Sequence, residues 1–247
     1  NLPDVPCPIL AIRVADGRPG ERASPLSLHF DHADVGEEPF GWMVEARALR
    51  VALNARLPSL PGLSVFAPAH AQVERGPQGA VVRLSTGEEI HARLVVGAEG
   101  RNSPLRREAG IPVSRLDYHS MGIVGAVAHE KPHNNVALEQ FLPHGPFAQL
   151  PMHGIPGHPN VSAIVWTERT AIARAALAMD DAAYARQIAA RLGDHLGAVR
   201  PIGRRWSYPL SALWASRFTD TRMALVGDAA HGIHPIAGQG LNLGFRD

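Results

Sequence analysis

The residues best placed to do chemistry lie near the end of the chain. Arg222-Met-Ala-Leu-Val-Gly227-Asp228-Ala229-Ala-His231 is an apolar strand that ends in a glycine and a carboxylate. A carboxylate at the carboxyl end of a strand accepts hydrogen bonds from sugar-like hydroxyls, and small alanines beside it let a ligand approach the backbone. His234-Pro235-Ile-Ala-Gly238-Gln239-Gly240-Leu241-Asn242 follows, a glycine-rich turn opening a helix. Such a turn presents unpaired backbone N–H groups and the positive end of a helix dipole, which suit an anion or an electron-rich oxygen.

A second segment repeats this plan. Leu94-Val-Val-Gly97-Ala-Glu99-Gly100-Arg101-Asn-Ser103-Pro-Leu-Arg106 is a buried-type strand, a glycine turn and a Ser-capped helix start. Arg101 and Arg106 are candidate charge partners for a phosphate, with solvated surface charge as the plain alternative. The remaining constellations are weaker. His29-x-x-His32 with Asp31 has metal-like spacing, but residues three apart in a strand face opposite ways, so no metal site is expected. Cys7 is the only cysteine, which excludes an internal disulfide and a multi-cysteine zinc site. No serine sits in a nucleophile elbow.

The elements that must position these segments are mixed. Strands are expected near 9–14, 26–30, 63–66, 71–75, 80–84, 91–96, 122–129, 136–141, 148–150, 161–166 and 223–226. Helices are expected over 43–57, from 103 to 110, over 169–178 and 182–192, and from 240 onward, with Asp180 or Asp181 as an N-cap. Strands and helices alternate without a clean βαβ rhythm, so the fold class is α/β of mixed α+β character. The 247 residues carry 24 basic and 23 acidic side chains. That balance argues against a nucleic-acid partner.

The string from His234 to Asp247 resembles the signature of the ubiquinone-biosynthesis hydroxylases, FAD-dependent aromatic-ring monooxygenases of the p-hydroxybenzoate hydroxylase type. Gly227-Asp228 and Gly97-Ala-Glu99-Gly100 resemble that superfamily's two other motifs, with Glu99 where Asp is usual. The resemblance runs from about Ile9 to Asp247. It implies a Rossmann-like FAD-binding domain (43–112 and 210–247), incomplete because no Gly-x-Gly-x-x-Gly unit is present, interleaved with a β-sheet substrate domain (1–42 and 113–209). Cofactor contacts are then expected from Gly97, Glu99, Gly100, Gly227, Asp228, Ala229 and the stretch from Gly238 through Gln239, Gly240 and Leu241 to Asn242. Arg47, on the helix after residue 43, is a further candidate.

Pro235 is expected against the isoalloxazine ring, and His231 is the suspect for acid–base work. Phe141, Phe147 and Leu150 are the expected substrate-pocket wall. The implied reaction is hydroxylation of an aromatic ring, foremost a polyprenylated phenol, with O₂ and with NAD(P)H or another electron donor. The implied location is cytoplasmic, with peripheral contact at the inner membrane or with a biosynthetic complex. The alternatives are a hydroxylase of a soluble aromatic, a related reductase or halogenase, and a fragment that is inactive by itself.

Overall fold

The computed structural model describes residues 6–21, 24 and 26–247. They form two compact units, each built from two stretches of chain. Unit 1 comprises Asn1–Pro61 and His119–Pro209; unit 2 comprises Gly62–Tyr118 and Leu210–Asp247. The helix carrying Arg47 falls in unit 1, whereas the boundaries expected from sequence put it with the glycine motifs.

Unit 1 opens with β1 (Cys7–Ile9), β2 (Ala11–Asp16), β3 (Ser27–Asp31), β4 (Gly41–Met43) and α1 (Ala46–Arg56). Unit 2 begins with the meander β5 (Ala71–Gly76), β6 (Gly79–Leu84) and β7 (Glu89–Ala92), then β8 (Val95–Gly97) and α2 (Pro104–Glu108). The strand expected over 63–66 is absent, and Leu63, Val65 and Phe66 are exposed without a pairing partner. Alternating apolar residues make a strand only where a neighbour satisfies the backbone.

The long β9 (Val113–His129) returns the chain to unit 1. There follow β10 (Val136–Leu142), β11 (Gly145–Met152), β12 (Val161–Arg169), α3 (Thr170–Ala178) and α4 (Asp181–Leu192). The equally long β13 (Val199–Ala215) leads back to unit 2, which ends with β14 (Thr219–Asp220), β15 (Met223–Leu225), β16 (His231–Gly232) and α5 (Gln239–Gly244).

The main sheet has the strand order β16-β13-β9-β12-β11-β10-β2-β3. Its pairs are antiparallel except for β10 with β2 among those whose register is defined. One face is closed by α3 and α4. Ile123, Leu138, Phe147, Ile164 and Trp166 from the strands pack there with Ala173, Ala176, Tyr184, Ile188 and Leu192 from the helices. Asp180 caps α4 by accepting a hydrogen bond from Ala183 N–H at 2.7 Å, and Gly193 ends it at φ +76°. Unit 2 has its own smaller core, in which Leu105, Ile111, Ala215, Met223, Leu225, Ala229 and Ala230 meet.

Candidate functional site

In unit 2 the two glycine segments lie side by side, because β8 pairs in parallel with β15. Their strands end together, with Gly97 opposite Leu225. A Cβ on Gly97 would stand 3.0 Å from Leu225 Cδ2 and 3.1 Å from Leu105 Cδ2, so strand–helix packing selects glycine there. Gly100, at φ +77°, turns the chain into α2. Ser103 is fully buried and caps that helix, its Oγ accepting from Arg106 N–H at 3.1 Å. The Ser103 hydroxyl donates to Glu99 Oε2, which also accepts from Leu105 N–H at 3.2 Å. Glu99 is therefore the second half of a helix cap. Its extra methylene, relative to the Asp usual at that position, lets it reach across the turn.

Arg106 is 2% exposed. It donates to the carbonyl oxygens of Ala229 and Arg101, each at 2.7 Å. Arg101 in turn donates to Ser211, both to its carbonyl at 2.8 Å and to its hydroxyl at 2.7 Å. The solvated-charge alternative fails for both arginines. Desolvation pulls the Arg106 guanidinium below its ordinary value. Its two carbonyl acceptors offset part of the cost of burying it. The result is a cross-brace from the first segment onto the backbone of the second.

The second segment is arranged differently. Gly227 takes φ +57° in a 3-10 turn over Gly227–Ala229, and its N–H donates to Asp247 Oδ2 at 2.6 Å. Asp228 projects into solvent, and its carboxylate has no hydrogen-bond or ion-pair partner among the described residues. Ala229 and Ala230 are fully buried beneath it. Pro235 is exposed and precedes a 3-10 turn, Ile236–Gly238. Gly238, left-handed at φ 63° and ψ 23°, is the N-cap of α5. No side chain caps the helix there, and the Gln239 N–H is taken by the Ile236 carbonyl of the preceding turn. The helix sits on the Gly-Asp turn, since a Cβ on Gly244 would lie 3.4 Å from Gly227 Cα.

His231 is buried, with its Nε2 2.9 Å from Asp247 Oδ2 and its ring near those of Trp214 and Phe218. That environment describes a ring held in place to fasten the end of α5 to the turn. His234 meets the edge of Tyr118 at 5.2 Å, and its Nδ1 accepts from Ile236 N–H at 3.2 Å. Burial lowers its pKa, which favours the neutral ring that this acceptor role requires.

In unit 1 strand parity sorts the expected pocket wall. Phe147 is fully buried in the helix-covered core. Phe141 pairs with Pro146, and Leu150 lies an even number of residues further along the same strand, so both belong to the opposite face. Phe147 is thus corrected from pocket wall to core. The strand starts at Gly145, three residues before the expected 148, and the odd spacing between Phe147 and Leu150 puts them on opposite faces. Glu139, two residues before Phe141, shares the open face and was not singled out from sequence. Arg47 is exposed on α1. Among the described residues no three His, Cys, Asp or Glu side chains cluster as metal ligands would, and no helix is long and apolar enough to cross a membrane.

The chain is similar to known proteins along nearly its whole length. It is 48% identical to the ubiquinone hydroxylase UbiL of Rhodospirillum rubrum over 97% of this chain and 54% of that protein. It is 36% identical to the 3-demethoxyubiquinol 3-hydroxylase of Escherichia coli, over 88% and 54%. The chain therefore spans about half the length of these curated relatives. Among solved structures, PqsL of Pseudomonas aeruginosa, titled a probable FAD-dependent monooxygenase, aligns with a TM-score of 0.73 at 23% identity, over 94% of this chain and 64% of that one. That likeness shows a shared fold. The model of the FAD binding domain family matches residues 62–247, three quarters of the chain and the whole of unit 2, and the chain belongs to that family.

Proposed function

We propose that this chain forms part of an FAD-dependent monooxygenase that hydroxylates an aromatic ring, with a polyprenylated phenol of ubiquinone biosynthesis as substrate. The observation that carries the reading is the pairing of an unpartnered Asp228 carboxylate with an uncapped α5 on one rigid turn. The donor set fits the cofactor. A free carboxylate suits the hydroxyls of a ribityl chain, and a helix start without a side-chain cap suits the electron-rich pyrimidine edge of a flavin ring. The names of the relatives, both ubiquinone-pathway hydroxylases, supply the substrate class.

In this reading unit 2 is the flavin-binding part and unit 1 the substrate part. FAD supplies the oxygen-activating chemistry when bound and reduced, with O₂ as oxidant and NAD(P)H as electron source. Asp228 would accept hydrogen bonds from the ribityl hydroxyls, the N-terminal turn of α5 with Gly240 and Leu241 would face the electron-rich edge of the ring, and Pro235 would lie against the ring. Arg106, Glu99 and Ser103 hold the turn rigid, so that these groups need no reorganisation as charge develops. Phe141 and Leu150 would face the substrate, whose prenyl tail would bring the protein into peripheral contact with a membrane.

Asp228→Ala in the full-length protein tests the assignment. Flavin content should fall and ring hydroxylation with it. Unchanged flavin retention and turnover would remove Asp228 from the site. Product analysis of the wild-type protein with a prenylphenol tests the reaction itself.

A further inference from the structure

Glu139 sits in the middle of β10, flanked by β2 and β11. Its register partners are Val14 and Ala148. On the same face the next residues along are Ile12 with Ala137 on one side and Asp16 with Phe141 on the other. On β11 they are Pro146 and Leu150. Beyond β2, β3 adds Leu28 and Phe30, both exposed. The surroundings are apolar, and Glu139 is half-buried among them without a hydrogen-bond or ion-pair partner among the described residues.

Asp16 is the other titratable group on this part of the face, and it is exposed at the strand end. Arg13, Gln140 and Gln149 point to the helix-covered side by parity. The β1–β4 ribbon that approaches β11 brings Cys7 as its titratable group, directed at Asn135. Desolvation alone pushes the Glu139 carboxyl up from 4.5 to about 7.

An unpaired carboxyl in an apolar sheet face costs stability, and folded proteins retain such groups where a ligand completes them. The open face already presents Phe141, a flat contact for a ring, beside it. Resting on the reading that the substrate is a phenol, we infer that Glu139 takes the hydrogen bond, and during turnover the proton, of the substrate's phenolic hydroxyl. The phenolic O–H bond breaks, an Oε–H bond forms, and the electron pair stays on the phenolate oxygen, which enriches the ring for attack on an electrophilic oxygen. A phenol ordinarily titrates near 10, so an ordinary glutamate near 4.3 faces a gap of about 6 units. Against Glu139 the gap is about 3. This is the acid–base group that the sequence did not disclose.

The test uses the full-length, flavin-loaded protein and two probes, a short-chain prenylphenol and its methyl ether. Binding is read from the perturbation of flavin absorbance, separately from turnover. Wild-type protein should prefer the phenol over the ether, and Glu139→Gln should erase about 10- to 100-fold of that preference while still binding the ether. Hydroxylation by the wild type should rise as pH increases through about 7, where Glu139 ionises, and Glu139→Gln should lose that rise. Glu139→Gln should also melt no lower than wild type, because it removes an unpaired, half-buried carboxyl from apolar surroundings, so loss of folding will not mask the result. Unchanged phenol preference together with an unchanged pH profile in Glu139→Gln overturns the inference. A Glu139-dependent preference in a protein that hydroxylates no phenol would sustain the contact and remove the hydroxylase reading. Hydroxylation without that dependence would do the reverse.

Discussion

In the segment that runs from β8 into α2, the acidic side chain after the strand is occupied by its own chain: Glu99 holds Ser103 Oγ and Leu105 N–H. In the segment from β15 to α5, Asp228 holds no partner among the described residues, and the helix that follows has no side-chain cap. Both begin with a short apolar strand, pass a positive-φ glycine and enter a helix. The difference lies in where their polar groups are satisfied. The first closes on itself and reaches across through Arg106, so it works as a brace. The second leaves its carboxylate in solvent and its helix without a side-chain cap, so its polar groups are held by water until a ligand replaces it. Two similar motifs thus divide into a support and, in the proposed reading, a contact surface.

The largest expected effect falls on the brace. Arg106→Met should cost on the order of 3–4 kcal/mol of stability, because it leaves the Ala229 and Arg101 carbonyls without their donor. Urea unfolding measures it, and a loss below about 1 kcal/mol would mean that the brace carries little.

Next comes a crossed pair. Asp228→Ala should weaken flavin binding by about 10- to 100-fold with stability nearly unchanged. Glu99→Ala should lower stability by about 2 kcal/mol and affect flavin less. Flavin titration beside thermal melting reads both. The division between support and contact breaks if Glu99→Ala has the greater effect on flavin.

Ser103→Ala should cost about 1 kcal/mol, the ordinary loss of an N-cap, again visible in urea unfolding. The smallest effect concerns Asp247, whose bonds from Gly227 N–H and His231 hold its pKa below 3.8. A depressed carboxyl contributes stability that is present above its unfolded value and is lost as pH falls through the folded one. Asp247→Asn should therefore be slightly less stable than wild type at neutral pH, and the gap should close in acid. A gap that is constant across an acid titration would show that its charge plays no part.

Much of this was legible along the chain. Asp180 and Ser103 read as caps because their signals are local: a short polar side chain just ahead of a helical run. The order of strand, glycine turn and helix at Gly97 and Gly227 was local too, and it carried the family resemblance. Arg106 was not legible, because its acceptor at Ala229 lies 123 positions away and nothing near Arg106 announces it. Phe147 and Leu150 stand three residues apart on β11, so a period of two puts them on opposite walls, and packing against α3 and α4 decides which wall is the core. For Glu139 the strand was expected, but which face the helices cover is settled by α3 and α4, far along the sequence.

The division of unit 2 between two distant stretches also bears on how the protein is made. The β8–β15 pairing and the Arg106 brace both join parts of the chain separated by most of unit 1. On a ribosome, β8 and α2 emerge early and wait without their partners while the strands and helices of unit 1 are synthesised. Unit 1 should then acquire protease resistance before unit 2, an order that digestion of stalled nascent chains would reveal. The turn bearing Asp228 and the start of α5 thus take their places only after unit 1 has been synthesised, so the two glycine segments meet late although the first of them is made early.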